Sequence, residues 1–195
     1  MTVPATLTLV SPEEYMLLEE PAEAKSEYED GEIIPMSGGK PSHNQIKVNI
    51  VVMLDTLIGE NDFRVLNSDT RVRTPDSRRY TYPDVSVVAG APQFDPQWET
   101  ATLLNPCLIV EVLSNSTRRR DISTKFTGYQ QILTFREYLL VEQDIPHVTQ
   151  WVREPDNTWH STIYTRLDDV IELASVPVAL PVRRIYRHVP IAEEA

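Results

Sequence analysis

The stretch NPCLIVEVLSNSTRRRDISTK, residues 105–125, decides the fold of this chain. Its first part, from Cys107 to Leu113, is the most apolar run in the middle of the sequence. A short apolar run of this kind predicts a strand that is buried on both faces of a sheet. Glu111 lies near the end of this strand, where an ionised carboxylate costs free energy unless a partner compensates its charge. The sequence therefore predicts a buried strand with one acid that needs an explanation.

A helix is predicted directly after this strand, over residues 121–133. Four side chains recur at the spacing of one helix face, namely Ile122, Phe126, Tyr129 and Leu133. Lys125 lies about 60° away from that face at 3.6 residues per turn. We therefore expect Lys125 to flank the buried side of the helix, from where it can reach back toward the preceding strand.

The rest of the chain predicts one further long helix and a run of strands. Ser42 and Gln45 have the spacing of a capping box. The apolar stripe of this helix is formed by Ile46, Ile50, Met53, Leu54 and Leu57. Asp30-Gly31 predicts a tight turn, and strands are predicted over residues 62–74, 82–90, 136–154 and 158–165. Helices interleaved with strands favour an α/β fold with a central mixed β-sheet flanked by α-helices, in a single domain over residues 1–195.

The composition is that of a globular protein with an acidic balance. The chain has 195 residues and a formal net charge of −11, which argues against a general nucleic-acid coat. Two arginine clusters, in residues 64–79 and 118–120, are compatible with a local basic cleft. The single cysteine, Cys107, excludes an intrachain disulfide. We expect a cytoplasmic protein without a membrane partner, because the first fifteen residues lack a signal-peptide pattern and no apolar run has the length of a membrane span.

Four residues are candidates for chemistry, namely Glu32, Asp84, Glu111 and Lys125. Asp84 begins a predicted strand directly after Pro83, and Glu111 ends the apolar strand. Two carboxylates at the ends of neighbouring strands can bind one Mg²⁺, which prefers one or two carboxylates together with water and substrate oxygens. The metal would lower the pKa of a bound water. Lys125 would orient that water or neutralise charge that develops on the phosphoryl group.

Each of these residues also has a purely structural explanation when it is taken singly. Glu111 would form an ion pair or accept backbone hydrogen bonds, and Asp84 would be a turn residue. Lys125 would be a surface lysine with a buried stem, and Glu32 would face solvent after a turn. The prediction of a functional site therefore rests on the spacing of the whole set.

Three segments together resemble one protein family. They are YPDVSVV (82–88), LIVEVLSNSTRRRDISTKFTGYQQI (108–132) and REYLLVEQD (136–144). Their order and spacing resemble the Uma-type family of restriction endonucleases, within the PD-(D/E)XK nuclease superfamily, from about Tyr15 to Tyr186. The resemblance implies a restriction endonuclease-like core, a divalent metal (Mg²⁺ or Mn²⁺), hydrolysis of DNA phosphodiester bonds and a homodimer.

The resemblance assigns individual residues of the site. Pro83-Asp84 resembles the PD element, and Glu111 resembles the second acid. The superfamily places its lysine two residues after that acid, where this chain has Leu113. The resemblance implies instead that Lys125, in DISTK, supplies the lysine from the helix that follows the strand.

Three further residues complete the candidate set, and the resemblance also gives Glu32 a role. Glu32, in DGEI, resembles an acid from the first part of the core and would assist at the metal directly or through a water. Asp121 and Tyr129 match recurring positions around the lysine. His43, in the first turn of the long helix, is a further supporting candidate.

Two hypotheses of function follow. In the first, the protein is a Mg²⁺-dependent endodeoxyribonuclease with Asp84 and Glu111 as metal ligands. Phosphate contacts would come from Arg71, Arg73, Arg118 and Arg119.

In the second hypothesis, motivated by the net charge of −11, the protein is a non-catalytic oligomeric binding or regulatory protein on a nuclease scaffold, and Lys125 forms a salt bridge with one of the two acids. A carboxylate-pair glycosidase is disfavoured, because three scattered tryptophans are too few to line a sugar cleft.

Overall fold

The computed structural model describes residues 9–98 and 100–191. The helical elements are α1 (Pro12–Glu19), α2 (Pro41–Ile58), α3 (Arg118–Arg120), a π-helical segment (Asp121–Lys125), α4 (Phe126–Tyr129) and α5 (Val182–Ile185). The π-helical segment joins α3 to α4, so the three form one continuous helix.

The strands form two larger sheets and one small pair. In chain order they are β1 (Ser26–Glu29), β2 (Glu32–Pro35), β3 (Phe63–Asn67), β4 (Arg71–Arg73), β5 (Arg79–Thr81), β6 (Val85–Ala89), β7 (Thr102–Leu103), β8 (Leu108–Leu113), β9 (Glu137–Glu142), β10 (Val148–Arg153), β11 (Trp159–Tyr164), β12 (Val170–Glu172) and β13 (Ala179–Pro181). The sheets have the orders β11-β10-β9-β8-β6-β3, β2-β1-β5-β4-β7 and β12-β13. In the six-stranded sheet β8 and β9 are parallel and the other neighbours are antiparallel. The prediction of an α/β fold with a central mixed sheet is confirmed.

The prediction of one strand over residues 62–74 is wrong, because the chain turns in its middle. The Asn67 side-chain oxygen accepts from the Asp69 amide at 3.0 Å, and the Asn67 carbonyl accepts from the Thr70 amide at 3.1 Å. Asparagine favours such a turn because its side chain bonds the backbone two residues on. β3 therefore ends in the six-stranded sheet and β4 starts in the five-stranded one.

The predicted turn at Asp30-Gly31 is confirmed. Asp30 and Gly31 have φ angles of 51° and 99° and join β1 to β2, as expected for an Asp-Gly hairpin. Residues 154–157 join β10 to β11. The first strand of the β1–β2 hairpin also pairs with β5.

β8 lies between β9 and β6, and all six of its residues are buried, which confirms the prediction of a strand buried on both faces. Side chains alternate between the two faces of a strand. The core on the α2 side contains Leu108, Val110 and Val112. The opposite core contains Ile109 and Leu113 together with Tyr129 of α4. Glu111 therefore faces the helix that follows its own strand.

α2 packs its predicted apolar stripe against the six-stranded sheet. Its N-cap is Lys40, so Ser42 lies within the first turn and the predicted capping box of Ser42 and Gln45 is wrong. The stripe is confirmed except at Leu57, which is 39% exposed, while Ile58 is buried. Within residues 9–98 and 100–191, no helix, α2 included, has the length and apolarity needed to cross a membrane.

The helix after β8 begins and ends earlier in the chain than predicted, and it buries only half of the predicted apolar face. It ends at Tyr129, and two residues of the predicted apolar face are exposed, Ile122 by 43% and Leu133 by 85%. The π-helical turn instead buries Asp121 and Lys125, and such turns often occur at functional sites. The other two residues of the predicted face, Phe126 and Tyr129, are buried in the core, so the apolar spacing is confirmed at these two positions and wrong at Ile122 and Leu133.

Candidate active site

Asp84 and Glu111 lie opposite each other on neighbouring strands. β6 and β8 are antiparallel with Val85 opposite Val110, and one further step along this register pairs Asp84 with Glu111. Opposite residues of an antiparallel pair project from the same face, with Cβ atoms about 4.5–5.5 Å apart. The Val112 amide donates to Asp84 Oδ2 at 2.7 Å. The structure therefore brings together, at one end of the sheet, two acids that are 8% and 4% exposed.

Lys125 reaches this pair from the π-helical segment. Its Nζ donates to Glu111 Oε1 at 3.2 Å, and it lies 2.9 Å from Glu27 Oε1 and 3.0 Å from Asp121 Oδ1. The Lys125 side chain is 4% exposed, so carboxylates rather than water surround its ammonium group. Leu113 belongs to the core. Lys125 thus contacts Glu111 from the helix, while the position two residues after Glu111 is occupied by Leu113 and not by a lysine.

Glu32 is not brought to this group, and Glu27 lies there instead. Glu32 is exposed on the edge strand β2, opposite Glu29, and in the described part of the chain no hydrogen bond or ion pair joins it to the other three candidates. Glu27 is 3% exposed and accepts from the Tyr82 amide at 3.1 Å and from Arg120 Nη1 at 2.9 Å. The expected position of the third acid is therefore wrong. The alternating acids of SEYED (26–30) are the sequence signal for Glu27, and they do not distinguish it from Glu29.

Three residues of α2 and α4 contact the two acids. His43 Nε2 lies 3.3 Å from Asp84 Oδ2, and Lys47 Nζ lies 3.5 Å from Asp84 Oδ1. Residues four apart project from one helix face, which is the sequence signal by which Lys47 could be found once His43 is suspected. Tyr129 donates its hydroxyl hydrogen to Glu111 Oε1 at 3.2 Å. The supporting candidates His43 and Tyr129 therefore lie at the site, and Lys47 is an addition to them.

Comparisons with known proteins identify the family. Residues 12–183 match the model of the Uma2 family, which is described as "Putative restriction endonuclease". The chain belongs to this family. Two uncharacterised proteins of Synechocystis sp. are similar to it. One is 38% identical over 159 residues (82% of this chain and 89% of the relative), and the other is 34% identical over 180 residues (91% and 92%).

A solved structure has a similar fold. The crystal structure of "a putative nuclease belonging to DUF820" from Anabaena variabilis matches with a TM-score of 0.74 and 18% identity, over 91% of this chain and 98% of that chain. At this identity the likeness concerns the fold alone, and it confirms the restriction endonuclease-like core. Membership of the Uma2 family supports a nuclease-like function.

The structure excludes Arg71 as a phosphate contact of this Uma2 protein. Arg71 is 0% exposed. Its guanidinium donates to Thr102 Oγ1 at 2.8 Å, to Tyr82 OH at 3.2 Å and to Glu20 Oε1 at 3.1 Å. An arginine with buried partners of this kind stabilises the fold, so the prediction for Arg71 is wrong.

The other three arginines of the prediction differ in their surroundings. Arg73 Nη1 lies 2.7 Å from Asp95 Oδ2, and the Arg73 side chain is 24% exposed. Arg118 forms an ion pair with Glu142 and is half exposed, and Arg119 is exposed. Phosphate contacts by these residues stay predictions, with Arg119 the most accessible of the three.

The charges of the site are unevenly compensated. Burial raises the pKa of Glu111 well above its usual range; Lys125 opposes this shift, and the carboxylates of Asp121, Asp84 and Glu27 add to it. Burial alone would also raise the pKa of Asp84, but His43, the Val112 amide and Lys47 lower it. Glu111 therefore binds a proton more readily than Asp84 does.

The raised pKa of Glu111 predicts a pH dependence of stability in the metal-free protein. Because the folded-state pKa lies above the unfolded value of about 4.3, the contribution of Glu111 to stability is present at low pH and is lost as the pH rises through the folded pKa. Glu111→Gln removes this loss, so we expect the variant to gain stability over the wild type with rising pH, by at most about 1.4 kcal/mol per pH unit. Urea unfolding of both proteins in EDTA between pH 5 and 8 measures it. A pH-independent difference would contradict the assignment.

The donor set fits a divalent metal. Two facing carboxylates are hard oxygen ligands, and Mg²⁺ is commonly held by one or two carboxylates while its other positions bind water and phosphate oxygens. In the part of the chain that the structure describes, no group of three or more histidine, cysteine, aspartate or glutamate side chains is arranged to hold a metal. Asp121 Oδ1 is buried and accepts no well-oriented hydrogen bond there, although Lys125 Nζ lies 3.0 Å away. The chemistry of the two facing carboxylates thus fits a divalent cation.

Proposed function

We propose that the protein is a metal-dependent endonuclease that hydrolyses DNA phosphodiester bonds at Asp84 and Glu111. The observation that supports this most is the meeting of both acids and Lys125 at one end of the sheet, in a chain of the Uma2 family. Hydrolysis adds one water across a P–O bond, so that one product ends in a phosphate monoester and the other in a hydroxyl group. The strand order supports the proposal because it places acids from β6 and β8 on one face.

Asp84 and Glu111 would hold the metal, Mg²⁺ or Mn²⁺. When bound, such a metal supplies a water of lowered pKa and positive charge beside the phosphoryl oxygens. Asp84 is oriented for this task by the Val112 amide and by His43, whose contacts fix Oδ2. Partners that orient metal ligands in this way are worth roughly 10–100-fold in metal affinity or activity.

Lys125 would orient Glu111 and lower the cost of its ionisation rather than touch the substrate. Its Nζ is surrounded by carboxylate oxygens of Glu27, Asp121 and Glu111 at 2.9, 3.0 and 3.2 Å. Burial alone would lower the pKa of Lys125, but these three carboxylates raise it well above its usual range. A permanently charged ammonium group in this position lowers the cost of an ionised Glu111, which metal binding requires.

A second candidate function has one observation in its favour. The salt bridge of Lys125 with Glu111 is the contact expected of a non-catalytic binding or regulatory protein on a nuclease scaffold. The same contact is compatible with a catalytic site. The two functions are separated by cleavage and by metal binding, because the non-catalytic protein would show neither.

The proposed function is tested by cleavage of plasmid and single-stranded DNA in Mg²⁺ or Mn²⁺. We expect the wild type to cleave with either metal, EDTA to stop the reaction, and Asp84→Ala to lose it, because the variant lacks one of the two metal ligands. Equal activity of the wild type and Asp84→Ala would contradict the assignment of Asp84 as a catalytic metal ligand. Absence of cleavage by the wild type with both metals would favour the non-catalytic function.

A homodimer also stays a prediction. β11 forms one edge of the six-stranded sheet, and an edge strand presents backbone groups that can pair with another chain. The side chains of residues 160–163 on this strand are exposed. Light scattering coupled to size-exclusion chromatography would measure the assembly.

A further inference from the structure

The lysine expected to meet the substrate is enclosed. Lys125 is 3% exposed, and three carboxylate oxygens lie within 3.2 Å of its Nζ. An ammonium group has three N–H donors, and three anionic neighbours account for its charge and its surroundings. A phosphate group would have to displace one of these carboxylates to reach it. Another cation is therefore needed beside the metal site to contact the phosphate.

Most cations close to the site are paired with carboxylates. Arg120 Nε and Nη1 donate to Glu29 and Glu27 at 3.0 and 2.9 Å. Lys25 Nζ lies 2.5 Å from Asp69 Oδ1. Their positive charge is therefore already neutralised by short ion pairs, and contact with a phosphate would compete with those pairs.

Lys47 differs from these cations in three ways. Its Nζ lies 3.5 Å from Asp84 Oδ1, whereas the Val112 amide donates to the other carboxylate oxygen, Oδ2. Its donated hydrogen bond goes to a neutral group, Ser68 Oγ, at 3.0 Å. The Lys47 side chain is 24% exposed against 4% for Lys125. Lys47 thus combines proximity to the acid pair with a side chain that reaches solvent and a charge held only loosely.

We infer that Lys47 is the side chain that contacts the substrate phosphate beside the Asp84–Glu111 pair, and that Lys125 positions Glu111. This inference rests on the proposed nuclease function. The substrate-binding lysine then lies on α2, on the same face as His43, and not on the helix that follows β8. A lysine binds a phosphate as a point charge through its N–H donors. To contact the phosphate, Lys47 would exchange its 3.5 Å contact with Asp84 Oδ1 for one with a phosphate oxygen.

The salt dependence of DNA binding tests this inference. Each phosphate contact adds about 0.9 to the slope of log K against log salt concentration for duplex DNA. With Ca²⁺ in place of the catalytic metal and a labelled 20-base-pair duplex, checked to be intact after each titration, we expect Lys47→Met to lower the magnitude of this slope by about 0.9. Lys47→Arg should keep the wild-type slope because it keeps the charge. A residue that serves only the stability of Asp84 would leave the slope unchanged.

A matched variant separates a specific contact from a general loss of charge. Lys25 is similar to Lys47 in that its Nζ also contacts Ser68, through the Ser68 carbonyl. Lys25 differs in being paired with Asp69, and Lys25→Met removes it. We expect its slope to equal that of the wild type. An unchanged slope in Lys47→Met, or an equal decrease in Lys25→Met, would overturn the inference while the proposed function stands. If the wild type neither binds nor cleaves DNA, the proposed function fails and the inference fails with it.

Discussion

Replacing Lys125 by methionine is expected to lower the free energy of unfolding by about 3–5 kcal/mol, the range found when one partner of a buried ion pair is removed. The substitution keeps the length of the side chain but leaves Glu27, Glu111 and Asp121 without the ammonium group that all three contact. Carboxylates in such surroundings repel one another and are poorly solvated. Urea unfolding followed by circular dichroism at neutral pH, in EDTA, measures the change.

The matched control for this prediction is Lys25→Met. Lys25 also forms an ion pair, with Asp69 at 2.5 Å, but the two side chains are 40% and 74% exposed. Exposed pairs contribute about 0–1 kcal/mol, so the control should stay within about 1 kcal/mol of the wild type. If Lys125→Met were as stable as Lys25→Met, the enclosure of Lys125 by carboxylates would not describe the protein in solution.

Replacing Glu111 by glutamine is expected to lower the rate of DNA cleavage by more than about 100-fold, because even partners that only orient a metal ligand are worth roughly 10–100-fold. Glutamine keeps the shape of the side chain and can still accept from Tyr129, so the loss would follow from the missing negative charge. Initial rates on supercoiled plasmid in saturating Mg²⁺ measure this effect. Since the raised pKa of Glu111 costs stability at neutral pH, the variant should be inactive and yet more stable.

Glu32→Gln is the control for charge and chemistry. It makes the same change on an acid that the sequence predicts to be part of the site. In the structure this acid is exposed on β2, away from Asp84, Glu111 and Lys125. We expect its cleavage rate to equal that of the wild type. A loss in Glu32→Gln as large as that in Glu111→Gln would restore Glu32 to the site, and a wild-type rate in Glu111→Gln would remove Glu111 from it.

The parts of the site that the sequence predicts are those determined by local pattern. The apolar run around Glu111 predicts β8, because continuous apolar residues require burial on both faces. Asp84 follows a proline at the start of a second apolar strand, and antiparallel pairing of the two strands then brings the acids together. Helix periodicity places Lys125 at the flank of the buried face, and the resemblance to a nuclease family implies its role beside Glu111.

The parts that the sequence does not predict depend on contacts between distant segments. Glu27 and Glu29 alternate on β1, and only the position of Lys125 decides that Glu27 belongs to the site. Arg71 resembles its exposed neighbours in sequence, but pairing between β4 and β7 buries it. The π-helical turn moves Lys125 from the flank of the helix to its buried side, and an apolar periodicity based on 3.6 residues per turn does not register such a turn.

The central claim is that Asp84 and Glu111 together bind a catalytic divalent metal. A crystal of the protein soaked in Mn²⁺, with diffraction recorded near the manganese absorption edge, tests this claim most directly. The account predicts an anomalous peak between the two carboxylates, with Lys125 still in contact with Glu111, and its disappearance in crystals of Asp84→Ala. Strong manganese peaks elsewhere in the crystal, with none between Asp84 and Glu111, would contradict it.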